Sequence, residues 1–190
     1  MIENDKLYTF FNNEFPFNQE GLEDFINTFT VKNLKKGELI LENGSTENEL
    51  RFLDKGIIRE FYTTKEKEKN INFYTKSGFI TDFASFIYSK KTKKQQECIT
   101  NVQLRVLSKE KFLNFTQKYQ CGKLFIDTIF QRIIISKENE EFNHFMNTAE
   151  ELYQDIMKTK PDWLQLIPQY HIASYLGITP ETLSRIRKKI

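Results

Sequence analysis

Cysteine is nearly absent from this sequence: Cys98 and Cys121 are the 2 thiols in 190 residues, far apart and in no CxxC pair. That excludes a disulfide-stapled secreted framework and a four-thiolate zinc or iron-sulfur site within one chain, and it points to a reducing cytoplasm. Histidine is as scarce, with His144 and His171 the only 2. A cupin-type metal centre needs several His or carboxylates on barrel strands, and both histidines fall in segments with helical patterning, so no metal is expected. Long apolar runs are missing too. No aliphatic run is longer than that of Ile133 to Ile135, far short of the roughly 20 residues that span a bilayer. The opening stretch, MIENDKLYTFFNNEF, has no basic region followed by an apolar one, so neither a secretory leader nor membrane contact is expected. No phosphate-cradling glycine loop occurs and neither cysteine has a local base partner, so the chain is not expected to be an enzyme. Nor does one sign of charge dominate: 28 Lys and Arg stand against 26 Asp and Glu, for a formal net charge of +2. A chain basic throughout is excluded, and a local basic patch is not.

What is present is apolar and aromatic. With 39% hydrophobic residues and 18 Phe, the chain can bury a real core, and its length suits one large domain or two small ones, of which two are expected. Gly37, Gly44, Gly56 and Gly78 punctuate residues 30 to 110 at intervals that suit turns between short strands. Between them ELILENG, LRFLDKGIIREFY, INFY, GFITDFASFIY and CITNVQLRVLS supply short apolar segments. Val102, Leu104 and Val106 alternate with period two, which predicts one buried face. Many short strands with regular turn signals predict a sandwich or a barrel closing on itself.

Helical spacing flanks this β region. Leu22, Phe25, Ile26 and Phe29 precede it. After Gly122, Ile126, Ile129, Phe130 and Ile133 form one stripe, and beyond SKENEE the apolar face resumes at Phe142, Phe145, Met146, Ala149, Leu152 and Ile156. A run from about 123 to 157 exceeds the usual globular helix, so it is either one long helix with an inter-subunit seam or two helices with a break near 147. The break is favoured, because Thr148 followed by Glu151 reads as an N-cap and capping box. The Ile126, Ile129, Phe130, Ile133 stripe serves either a dimer seam or the cover of its own β domain; the dimer seam is preferred.

Charge is concentrated at the end of the chain. Residues 177 to 190 hold Arg185, Arg187, Lys188 and Lys189 against Glu181, for +3, while residues 141 to 160 sum to −2. From Gln169 onward, Ile172, Ala173, Leu176, Gly177, Ile178, Leu183 and Ile186 follow helix-turn-helix spacing. Small Ala173 permits a close crossing, Gly177 supplies the positive φ that ends the first helix, and the aliphatic positions form the shared core. Thr179 is placed to cap the second helix with Pro180 at its first position. That helix would expose Glu181, Thr182, Ser184, Arg185, Lys188 and Lys189. Polar groups early and lysines late suit a helix that reads base edges in a major groove and meets phosphates. Arg185 can donate twice to guanine and Glu181 can accept from a cytosine amino group; the competing possibility is a surface ion pair between Glu181 and Arg185.

With these motifs in hand, the chain resembles the cyclic-AMP receptor and fumarate-nitrate regulator (Crp/Fnr) family of bacterial transcription factors over about residues 20 to 190. KKGELILENGSTENELRFLDKGIIREFY resembles the opening of that family's β-roll, SGFITDFASFI the segment before its phosphate-cassette helix, and IASYLGITPETLSRIRKK the helix-turn-helix of a subgroup frequent in Bacteroidetes. The resemblance implies an α+β chain with a β-roll sensor domain over 1–120, a dimerisation helix over 121–147 and a DNA-binding domain over 148–190. Glu181 and Arg185 match the family's base-reading pair, and Thr182 and Ser184 match polar positions beside it. Pro180 stands where better-known members carry an Arg, and a wing after the recognition helix is not expected with the sequence stopping at Ile190. The members that bind cyclic AMP use an Arg-Ser pair and a Glu; here SKKTKKQQECITN has no Arg, and Thr81-Asp82 stand near the Glu position. Cyclic AMP is therefore not expected as effector. The effector pocket is expected at Phe73, Gly78, Thr81, Asp82, Phe83 and Ile99, with Lys90, Lys91, Lys93 and Lys94 read as a solvated loop. The expected function is a homodimeric transcription regulator that binds a double-stranded operator through Thr179, Glu181, Thr182, Ser184, Arg185, Lys188 and Lys189, with RNA polymerase a further partner. The rival is a small-molecule or partner-protein sensing module whose basic helix faces inward.

Overall fold

The computed structural model describes residues 5–14, 19–119 and 147–190, together with helical residues 127, 128, 131, 132, 134, 135, 138, 139, 142, 143, 145 and 146. Two helices lead in, α1 (Lys6–Glu14) and α2 (Gln19–Thr28), followed by β1 (Thr30–Leu34), β2 (Leu39–Leu41), β3 (Glu49–Lys55), β4 (Ile58–Thr63), β5 (Glu68–Tyr74) and β6 (Gly78–Phe79). Helix α3 (Phe83–Tyr88) precedes β7 (Lys94–Cys98) and β8 (Val102–Ser108), and α4 (Lys109–Tyr119) leaves the last strand. The chain ends in α5 (Ala149–Thr159), α6 (Pro161–Leu166), α7 (Gln169–Leu176) and α8 (Pro180–Lys189).

The strands form two antiparallel four-stranded sheets, ordered β1-β8-β3-β6 and β2-β7-β4-β5. Between them Leu53, Ile58, Ile80, Cys98, Val102 and Leu104 are buried together. Cys98 belongs to this core, and burial, with Glu38 and Glu97 nearby, pushes its thiol up to about 11, so it is an inert packing group. On the outer side of the first sheet α1, α2, α3 and α4 close a phenylalanine-rich core, in which Phe11 meets Phe25 edge-on at 5.1 Å and Phe86 meets Phe112 at 5.4 Å.

The alternation expected on β8 holds at Val102 and Leu104 but is broken at Arg105, which is buried as well. Its guanidinium pairs with Asp54 at 2.6 Å and with Asp5 at 2.6 Å, so a charge on the sheet's outer face is neutralised and ties α1 down. The glycine turns are placed as expected at Gly37, Gly44 and Gly56, all with positive φ. At Gly56 the backbone is also crowded: a Cβ would lie 2.5 Å from the Asn101 carbonyl oxygen. Gly78 is not a turn residue. It opens β6 and pairs with Leu53, because two residues suffice to extend the first sheet there.

The break near 147 is present. Thr148 caps α5, its hydroxyl accepting from the Glu151 amide while the Glu151 carboxylate accepts from the Thr148 amide at 2.7 Å. Ile126, Ile129, Phe130 and Ile133, the expected dimer residues, lie outside the described residues, as do Cys121 and His144. No described helix is long and apolar enough to cross a membrane.

Candidate nucleic-acid interface and effector pocket

Helices α7 and α8 are joined by a turn built as the sequence requires. Gly177 caps α7 in the left-handed region at φ 73, and the Ile178 amide donates back to the Ala173 carbonyl at 3.0 Å. Thr179 then caps α8, its hydroxyl accepting from the Thr182 amide at 3.3 Å, with Pro180 in the first turn where no amide donor is needed. Ala173 is fully buried at the crossing, and Leu183 and Ile186 bury against α7. Glu181, Ser184, Arg185, Lys188 and Lys189 are exposed, Thr179 is exposed at the cap, and Thr182 is half-buried. The basic helix therefore does not face inward.

Arg185 donates to the Thr182 hydroxyl at 3.1 Å and forms no ion pair with Glu181. The Glu181 carboxyl is held below its ordinary range by its own backbone amide and the Thr179 hydroxyl, with Arg185 contributing least. Glu181 is thus ionised and acceptor-only at neutral pH, and Arg185 keeps a fork of donors directed outward. Arg187, Lys188 and Lys189 make the last turn cationic, and Lys189 leans 3.5 Å from Glu150 at the start of α5.

A cavity of about 790 Å³ opens beside α3 and between β4, β5 and β7. Of the expected pocket residues Thr81, Asp82 and Phe83 line it. Phe73 and Ile99 do not: both pack into the C-terminal core, and Gly78 is replaced at the wall by its neighbour Phe79. The error at Phe73 is one of strand phase, since Asn72 and Tyr74 on either side of it face the cavity. The reading of Lys94 as loop is also corrected. It opens β7, and its ammonium lies 3.5 Å from Glu60 and 3.5 Å from Asp82. Burial works against that charge, but the two carboxylates outweigh it and hold the Lys94 pKa above its ordinary value. Lys90, Lys91 and Lys93 are exposed at the mouth, joined by Arg132 from the helical segment.

The cavity wall is further knit by neutral donors. Gln96 donates to Glu60 at 2.7 Å, Tyr74 donates to Glu60 at 3.1 Å, and Thr92 donates to Asp82 at 2.7 Å. Behind the wall Arg51 is fully buried and paired with Glu47. Burial lowers its pKa to about 10, partly offset by Tyr74, Glu60 and Asp82. Sequence reading missed Glu60, Tyr62, Asn72 and Tyr74, because their only signal is register across β4 and β5.

The C-terminal helices dock on the roll. Strand β5 is the edge of its sheet, and its open backbone is covered by α7: the Asn70 amide donates to the Ser174 hydroxyl at 3.1 Å, which donates to the Glu68 carbonyl at 3.4 Å. The register of β4 against β5 slips between Glu60–Asn72 and Phe61–Asn70, leaving Ile71 as an extra residue. This bulge turns both Phe73 and Asn70 toward α6 and α7. Phe73 stacks edge-on with Trp163 at 4.9 Å, and Trp163 with Tyr175 at 5.2 Å. Asn70 Nδ2 sits 3.2 Å from His171 Nδ1 and donates to the His171 carbonyl at 3.3 Å.

Burial, with a contribution from Arg59 partly offset by Glu68, lowers the His171 pKa to about 4. A folded value below the unfolded one means that the unfolded chain takes up the proton first as pH falls. Stability should therefore be level above about pH 6.5 and fall by up to ~1.4 kcal/mol per pH unit between there and about pH 4. Thermal melts of His171→Gln should show a shallower loss over that window than the parent; identical slopes would refute the assignment.

A roll of this topology with a helix-flanked cavity, followed by a capped pair of helices, defines the class: a cyclic-nucleotide-binding-type β-roll joined to a C-terminal helical unit. Residues 31–119 match the family model described as the cyclic nucleotide-binding domain. The fold is similar to the global regulator CLP of Xanthomonas campestris, described as c-di-GMP responsive, at TM-score 0.70 and 13% identity over 90% of this chain and 91% of that one. It is similar to CooA of Carboxydothermus hydrogenoformans at TM-score 0.68 and 13% identity, over 98% and 84%. It is also similar to the catabolite activator protein of Thermus thermophilus at TM-score 0.59 and 15% identity, over 92% and 84%. At such identities the likeness establishes the fold, which runs through the C-terminal helices as well as the roll. No curated protein sequence matches the chain.

Proposed function

We propose that this protein is a sequence-specific DNA-binding transcription regulator that acts as a homodimer, with a sensor β-roll over 1–120, a dimerisation helix over 121–147 and a helix-turn-helix domain over 148–190. The observation that carries the reading is the amphipathic placement of α8: Leu183 and Ile186 are buried while Glu181, Ser184, Arg185, Lys188 and Lys189 are exposed. Arg185 and Glu181 then read base edges, with Thr182 and Ser184 beside them, Thr179 fixes the start of the helix, and the lysines neutralise phosphate. Likeness to an activator and a global regulator along the length of the chain supports this reading.

Dimerisation places two such helices about one DNA turn apart, roughly 34 Å, over a near-palindromic operator. Phe142, Phe145 and Met146 are 64%, 79% and 68% exposed and recur at helical spacing, an apolar stripe that a second copy would cover. The cavity is the effector site, and cyclic AMP does not suit it, because the segment between α3 and β7 has no Arg-Ser pair for a cyclic phosphate, Arg132 reaches only the mouth from the helical segment, and Lys94 is committed to Glu60 and Asp82. An effector would act by shifting the population of dimers whose two helices are in register. RNA polymerase is the partner through which the bound dimer acts, in the cytoplasm.

Selection from random duplex DNA with the purified protein tests the reading. A two-fold symmetric motif whose binding weakens steeply with salt is the expected result. Failure to enrich any sequence, with weak binding at every salt concentration, would sink it and favour a sensing module without a DNA partner.

A further inference from the structure

We infer that the β-roll itself contributes to DNA binding: Lys69, at the start of the edge strand β5, is a phosphate-contacting residue placed beside the recognition helix by the docking of α7. This rests on the DNA-binding reading and adds to it a contact from the other domain.

The argument begins with the seam. Backbone and hydroxyl bonds at Asn70, Glu68 and Ser174, the Asn70–His171 pair and the Phe73–Trp163–Tyr175 stack fix α7 against β5. With α7 fixed, the turn at Gly177 must lie next to the β4–β5 hairpin, and it does: the Lys69 ammonium is 3.9 Å from where a Cβ on Gly177 would stand. Gly177 is 2 residues from Thr179, the cap of α8. The N-terminal end of a recognition helix is the end that enters the groove, so the turn before it rides along one phosphate wall.

Charge completes the case. The hairpin reads Thr63-Thr64-Lys65-Glu66-Lys67-Glu68-Lys69. Glu68 is engaged by Arg59 at 2.8 Å, so it does not neutralise Lys69. Lys65, Lys67 and Lys69 are exposed, and none of them forms an ion pair among the described residues. A solvated ammonium held beside the groove-entering end of α8 mirrors Lys188 and Lys189 at its other end, so cationic groups flank the base-reading face on both sides.

The test uses the full-length protein and the duplex returned by selection, with affinity measured from 50 to 300 mM salt. Lys69→Ala removes one phosphate contact from each protomer of the dimer, so it should lower the slope of log K against log salt by about 2 and weaken binding about 60-fold near 0.1 M, equally on cognate and scrambled duplexes. Lys69→Arg should restore the parent slope. Lys32→Ala, on the opposite sheet, removes the same charge and should leave the slope unchanged. A Lys69→Ala slope equal to that of Lys32→Ala overturns the inference while leaving the DNA-binding reading intact. A parent protein with no salt-dependent duplex binding overturns both. Unchanged melting temperatures for the variants separate a lost contact from a lost fold.

Discussion

Arg185→Ala should weaken binding to the cognate duplex by about 1 to 3 kcal/mol per half-site, roughly five- to 150-fold for each, and relax preference at a single base pair of each half-site. The geometry supports a specific rather than a general loss. Arg185 is exposed on the same face as Glu181, one turn away, and its guanidinium is steadied by the Thr182 hydroxyl at 3.1 Å rather than spent on an ion pair. A planar fork held in this way is suited to two parallel hydrogen bonds to guanine, which a lysine cannot reproduce. Lys188→Ala should behave differently. Its ammonium sits in the last turn, where the proposed function assigns it to phosphate, so its loss should weaken all sequences alike and lower the salt slope. Lys189→Ala should follow the same pattern with a smaller amplitude, because Glu150 already competes for that ammonium at 3.5 Å. The measurement is a binding titration of each variant on the selected duplex and on a panel of single-base substitutions. If Arg185→Ala and Lys188→Ala lose affinity uniformly across the panel, α8 does not read bases.

Phe73→Ala should cost about 3 to 5 kcal/mol of the stability of the docked C-terminal helices, the range for deleting a large buried aromatic side chain. Phe73 is 3% exposed, and among the described residues it is the one from the roll that is buried in the core that also holds Leu152, Tyr153, Ile156, Trp163, Ile172 and Leu183. Removing its ring leaves Trp163 and Tyr175 stacked on each other with a void on the sheet side. The sequence contains a single tryptophan, so Trp163 fluorescence reports this interface alone. In denaturant the Trp163 transition of Phe73→Ala should move to a lower midpoint than the far-ultraviolet transition of the roll, whereas in the parent the two should coincide. Coincident transitions in the variant, or a loss under 1 kcal/mol, would show that the C-terminal helices stand without the roll. Because Lys69 is brought to the turn by the same seam, Phe73→Ala should also flatten the salt slope of DNA binding.

The parts of this molecule that could be read in the sequence are those whose signals are local. The turn from α7 to α8 needs a residue at positive φ, a small residue at the crossing and a cap before a proline, and Gly177, Ala173, Thr179 and Pro180 meet these needs within 8 residues. Thr148 and Glu151 announce the start of α5 in the same way, through bonds between a residue and its third neighbour. Strand phase was harder. Phe73 reads as a pocket aromatic because its neighbours in the chain are also large, and only the pairing of β5 with β4 shows that Asn72 and Tyr74 take the cavity side. The bulge at Ile71, which lets Asn70 and Phe73 share a face, has no local signature.

Periodicity and cap chemistry thus determined a strand-rich middle, the helical C-terminal unit and the polar face of α8, because a helix or a turn is specified by residues a few positions apart; the β-roll itself came through the family resemblance. Tertiary structure decided the rest. Lys94 left its expected loop to bridge Glu60 and Asp82, Arg105 was buried against Asp5 and Asp54, and Lys69 arrived beside Gly177. Each of these depends on groups distant in the chain whose charges are stabilised or spent only when folding sets them within a few ångströms, and no periodicity in the sequence encodes that distance.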